Sequence, residues 1–89
     1  MSIVGKYRKK PVTVKAIQWT DDNFEEVVKF IGSEHEGGDL KGTYVFINTL
    51  EGVMIARRGD YIIRGVKNEC YPCKQDIFEE TYDLIEIQE

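Results

Sequence analysis

From residue 43 to residue 73 the chain reads as four short runs rich in branched and aromatic side chains, each interrupted by a turn signal. The runs are Thr43–Thr49, Val53–Ala56, Tyr61–Lys67 and Cys70–Cys73, divided at Leu50-Glu51-Gly52, at Arg57-Arg58-Gly59-Asp60 and at Asn68-Glu69. Links this short close antiparallel hairpins, because a parallel crossover needs a dozen or more residues. This punctuation points to a fold dominated by antiparallel hairpins.

The flanking segments complete the outline. Val12–Trp19 is strand-like with Pro11 at its head, and its apolar residues fall on both faces. Phe24, Val27, Val28 and Ile31 keep the i, i+3, i+4, i+7 spacing of one helical face. Thr20-Asp21-Asp22-Asn23 offers N-cap side chains before that helix, and Gly32 a stop after it. Ser33 to Gly42 reads as a loop, Asp76–Tyr82 as a short helix with Asp76 as its cap, and Leu84–Ile87 as a closing strand. The predicted order is β-α-β-β-β-β-α-β, an α+β fold of one small antiparallel sheet with one or two helices packed on a face. At 89 residues the chain is expected to make a single domain over residues 1–89. It is small for enclosing a pocket of its own, so a ligand site belongs in a groove or between subunits.

Charge narrows the partners. The net charge is −4, yet residues 1–20 hold Lys6, Arg8, Lys9, Lys10 and Lys15 with no acid, and residues 75–89 hold six acids with no base. An acidic total argues against duplex nucleic acid, whose binding rests on many phosphate contacts. The opposed ends suit pairing with one another, within one chain or between copies. The longest uncharged run, Gly42–Leu50, is nine residues, and no signal-peptide core follows Met1, so neither membrane insertion nor export is expected.

Catalytic and metal signals are thin. Cys70-Tyr71-Pro72-Cys73 is the one C-x-x-C, and it follows a hairpin strand where a redox motif would precede a helix. No second pair completes a zinc site, and His35 is the lone histidine, so no metal and no cofactor are expected. Neither a Walker loop nor a G-x-G-x-x-G is present. A cationic set stands out instead: Arg57, Arg58, Arg64, Lys67 and Lys74, against Asp60 and Glu69, with Tyr61 and Tyr71 interleaved. Guanidinium forks grip phosphates and aromatic faces stack on bases, which suits a small anionic nucleotide, whereas a solvated hairpin with core tyrosines is the bland alternative. Asp60 and Arg64 share strand parity, so they either pair or leave Asp60 to bond the turn.

From Arg58 the sequence runs R-G-D-Y-I-I-R-G-V-K and continues through Y-P-C-K to D-I-F-E-x-T-Y. With Arg8–Val12, Gln18–Thr20 and Thr49–Gly52, it resembles a large group of small phage and prophage proteins. Their second half reads close to P-G-D-Y-I-I-R-G-V-K-G-E-F-Y-P-C-K-P-D-I-F-E-x-T-Y. The likeness spans nearly the whole chain and is specific in that half. Here Arg58 and Gln75 replace prolines, Asn68 a glycine, and Cys70 a phenylalanine, which makes the C-x-x-C look incidental.

The resemblance implies a phage-encoded protein acting in the host cytoplasm. Small phage proteins without evident catalytic machinery often counter host defence, and one class resembles anti-CBASS sponges that sequester immune nucleotides. The expectation is therefore a non-catalytic homo-oligomer, not an enzyme, that holds a small anionic nucleotide such as a cyclic dinucleotide. Arg57, Arg58, Arg64 and Lys74 would meet phosphates, Trp19, Tyr61 and Tyr71 would stack on bases, and Gln18 and Thr20 would read base edges. The rivals are a protein-interaction module that inhibits a host enzyme, a small nucleotide-degrading enzyme, and a virion component.

Overall fold

The structure, a computed structural model, describes residues 2–38 and 42–88. It is an α+β fold with two three-stranded antiparallel sheets. The elements are β1 (Lys15–Gln18), α1 (Phe24–Ile31), β2 (His35–Gly38), β3 (Tyr44–Thr49), β4 (Gly52–Arg57), β5 (Tyr61–Arg64), β6 (Cys70–Cys73) and α2 (Gln75–Thr81). One sheet has the order β1-β5-β6 and the other β2-β3-β4. The chain crosses between them at residues 57–60.

Side-chain alternation fixes how the layers meet. Val45, Ile47 and Ala56 from the second sheet are buried with Ile62 and Cys70 from the first, and Trp19, Val27 and Ile31 complete the cluster. On β5, Ile63 has the opposite parity and is also buried, so this central strand is covered on both faces. Tyr61 shares the Ile63 parity, and its ring stacks on Phe78 of α2 at 3.9 Å.

The helix expected at residues 24–31 forms there, with Val27 and Ile31 inward and Phe24 against Trp19 at 5.6 Å. Asn23 stands at its N-cap but ties the entry backwards rather than capping it. Its Oδ1 accepts from the Thr20 amide at 2.7 Å and its Nδ2 donates to the Gln18 carbonyl at 2.8 Å. The hairpin at Leu50-Glu51 and the strand at Cys70–Cys73 also form where the turn signals place them.

Five expectations need correction. The loop expected over residues 33–42 contains β2, which pairs with β3 through an irregular register. Backbone pairing to an open edge needs no side chains, and at Gly38 a Cβ would collide with the Tyr44 carbonyl, so glycine is what permits the approach. Part of that loop, residues 39–41, lies outside the described residues. The strand expected at 61–67 stops at Arg64, because Gly65–Glu69 closes a turn with Asn68 at φ 64°. Likewise the strand expected at 12–19 is confined to 15–18. Leu84–Ile87 does not close the sheet; it runs outside any strand with its large apolar side chains exposed. The second helix begins at Gln75 with Lys74 as N-cap, and Asp76 sits in its first turn, accepting from the Ile77 amide.

No helix among the described residues is long and apolar enough to cross a membrane. Position 75 is the first residue of α2, where an amide has no intrahelical partner, and Lys74 before it has φ −63° and ψ 145°. Both conditions suit proline. Gln75→Pro should therefore raise stability by roughly 0.4–1 kcal/mol. Urea denaturation with an unchanged m-value checks it, and a loss of stability would contradict this helix start.

Candidate functional site

The 57–60 turn is built from its backbone outward. The Asp60 amide donates to the Arg57 carbonyl at 3.0 Å, and Gly59 adopts φ 99°, the positive value a turn of this class demands at its third position. Asp60 is 5% exposed, the one buried charged residue among the described residues. Its Oδ2 accepts from the Arg57 amide at 2.9 Å, and its carboxylate faces the Lys74 ammonium at 3.4 Å. Asp60 thus bonds its own turn and does not pair with Arg64.

Around this turn lies an open hollow of about 390 Å³, lined by Arg58, Gly59, Asp60, Lys74, Gln75, Asp76 and Glu79. Arg58 and Lys74 are the two sequence-predicted ligand residues that share it. Arg58 reaches the Gly42 carbonyl at 3.1 Å and the exposed Asp21 carboxylate at 3.7 Å. Lys74 is 62% exposed. The hollow therefore sets two cations against the carboxylates of Asp60, Asp76 and Glu79.

The other predicted residues lie elsewhere. Trp19, expected to stack on a base, is 1% exposed in the core and offers no open face. Gln18 donates to the Gly59 carbonyl at 3.1 Å, behind the turn. Thr20 is exposed and bonds Asp22 at 3.1 Å. Arg57 lies over the Tyr44 ring at 5.8 Å. Tyr61 gives one ring face to Phe78.

Arg64 is spent on the scaffold. Its guanidinium donates to the carbonyls of Phe30 at 2.6 Å and Ile31 at 2.9 Å, and to that of Asn68 at 2.8 Å, with Glu34 at 4.0 Å. It is a cationic cap on the C-terminus of α1, where the dipole and unpaired carbonyls favour positive charge.

Sequence reasoning missed an aromatic column: Tyr61, Phe78 and Tyr82 stack in series, and the Lys9 ammonium closes it, donating to the Tyr82 hydroxyl at 2.8 Å. The i, i+4 spacing of Phe78 and Tyr82 was the available signal. Tyr71 is half-buried, and burial followed by the neighbouring Tyr82 hydroxyl pushes its phenol up to about 12. It also borders a second, apolar hollow of about 250 Å³ with Leu50, Met54 and Cys70.

The two cysteines occupy one strand three residues apart, roughly 10 Å along it, beyond the reach of a disulfide. Both are free thiols, and burial pushes each up in pKa. Among the described residues no three His, Cys, Asp or Glu side chains gather as a metal site requires.

Two measurements test this geometry. Arg64→Met should cost about 1.5–3 kcal/mol, the scale of charged hydrogen bonds to buried carbonyls, as read by urea denaturation. A cost near zero would show that Arg64 does not cap α1. For Tyr71 the fold holds the neutral phenol, so its contribution to stability is whole below pH 10 and lost as pH rises towards about 12. Absorbance titration at alkaline pH should show one delayed tyrosine, absent in Tyr71→Phe. No protein-family model, curated protein or solved structure matches the chain.

Proposed function

We propose that the protein acts by binding, as a phage-encoded factor in the host cytoplasm that sequesters a small nucleotide of host defence without cleaving it. The observation that carries this reading is the hollow beside the 57–60 turn, with Arg58 and Lys74 on its walls and α2 along one side. Its volume lies within the range of small-molecule sites.

The mixed charge of the hollow sharpens the ligand class. A polyphosphate alone would meet the like charge of Asp76 and Glu79 on the same walls. A cyclic dinucleotide carries both signs of complementarity: phosphates for Arg58 and Lys74, and amino-bearing base edges that donate to carboxylates. Wide openness fits a site that a second copy would close, in keeping with a homo-oligomeric sponge.

The test is retention. Purified protein is mixed with a panel of cyclic and ADP-ribose-derived nucleotides, filtered, and heated to release what it kept. Recovery of one intact nucleotide, weakened about tenfold or more by Arg58→Glu with Lys74→Gln, is expected, each tenfold being about 1.4 kcal/mol. Retention that ignores both substitutions would remove the site, and altered products would make the protein an enzyme.

A second reading is favoured by one feature. β4 is the outer strand of its sheet, and Val53, Met54 and Ile55 along it are exposed, next to Leu50. An open apolar edge suits strand addition by a protein partner, such as a host enzyme to be inhibited. If every nucleotide stays free while a defined host protein co-purifies and is lost with Met54→Lys, this reading replaces the first.

A further inference from the structure

Two segments flank the folded body. Residues 2–14 and 83–88 belong to no helix or strand. Ile3, Val4 and Tyr7 on the first and Leu84, Ile85 and Ile87 on the second are between 75% and 96% exposed. The middle of the first segment touches the root of the second, where the Lys9 ammonium donates to the Tyr82 hydroxyl at 2.8 Å and lies over its ring at 4.8 Å.

The segments are opposite in charge. The first carries Lys6, Arg8, Lys9 and Lys10 with no acid, and the second carries Asp83 and Glu86 with no base. Leu84-Ile85-Glu86-Ile87 has strand composition yet no strand partner within its own chain among the described residues. Two such segments joined only to each other would make a two-stranded ribbon, which is marginal in water. Two copies of the chain supply four segments, enough for a layer with a face to bury. Like charge disfavours pairing of two basic or two acidic segments.

We infer that this chain self-associates by arm exchange, the basic segment 2–14 of one copy lying along the acidic segment 83–88 of a second copy, and reciprocally. The partner is a second copy of the same chain, because each arm carries the charge complement of the other and one two-fold operation satisfies both contacts. This assignment stands apart from the nucleotide reading, since it needs no ligand.

Charge exchange between copies tests it. One variant reverses the first arm (Lys6→Glu, Arg8→Glu, Lys10→Glu), and another reverses the second (Asp83→Lys, Glu86→Lys); Lys9 and Tyr82 stay intact. Sedimentation of the unmodified chain, without nucleotide, should show a dimer. Each variant alone should associate at least about tenfold more weakly, since both of its arms then carry one sign. An equal mixture of the two variants should restore the dimer, because each now complements the other.

Circular dichroism of each variant should remain that of the parent, as no substituted residue lies in a strand or helix. A parent that stays monomeric throughout, variants that associate as the parent does, or a mixture that stays monomeric would each overturn the inference. Restoration only on mixing also separates exchange between copies from pairing within one chain.

Discussion

The structure turns on the Asp60 carboxylate. The chain leaves the second sheet at Arg57 and enters the first at Tyr61, so residues 57–60 join the two layers. A buried carboxylate there is costly unless its oxygens are satisfied, and Asp60 meets the Arg57 amide and the Lys74 ammonium. The same turn exchanges backbone bonds with β1: the Trp19 amide donates to the Asp60 carbonyl at 2.9 Å and the Gly59 amide to the Trp19 carbonyl at 2.7 Å. One turn therefore joins both sheets, the residue after β1 and the approach to α2, and the Asp60 carboxylate clamps it.

That dependence explains where the sequence-predicted ligand residues went. Residues 58–82 are, in this chain, largely fold machinery. Gly59 makes the turn, Asp60 clamps it, Tyr61 stacks on α2, Arg64 caps α1 and Lys74 answers Asp60. A motif rich in arginine and tyrosine reads as recognition chemistry when only residue types are visible. The same chemistry, guanidinium on carbonyls and ring on ring, also builds small cores. What decides between the uses is burial and partner, and Arg58 and Lys74 are the members of the set on a concave surface.

The fold was readable where local signals were strong. The helical spacing from Phe24 to Ile31, the turn at Leu50-Glu51-Gly52 and the punctuation at Gly59 each act over a few residues, so the sequence announces them. Two special backbone positions were not read: Gln75 starts α2, where Asp76 was expected to cap it, and Asn68 holds a positive φ that glycine adopts more easily. β2 was not readable, because its pairing depends on the free edge of β3 and on Gly38 approaching Tyr44, neither of which leaves a local pattern. The hollow was half readable. Its cations stood out, while Gln75, Asp76 and Glu79 looked like an ordinary solvated helix face until the turn was placed beside them.

The geometry of α2 links the hollow to the arms. Its seven residues span roughly 10 Å at the helical rise. Lys74, Gln75 and Asp76 at its start line the hollow, and Tyr82 at its end is the root of the acidic arm, held by Lys9 from the basic one. A second copy seated on the arms would therefore stand about one helix length from the open side of the hollow. A chain of 89 residues, with its core already committed to joining two sheets, has little volume left to surround a ligand. Enclosure by a neighbour needs no larger core, only a contact placed at the far end of a short rigid element. The aromatic column of Tyr61, Phe78 and Tyr82 fastens the middle of α2 to β5 through the Tyr61–Phe78 stack and extends it to the root of the acidic arm.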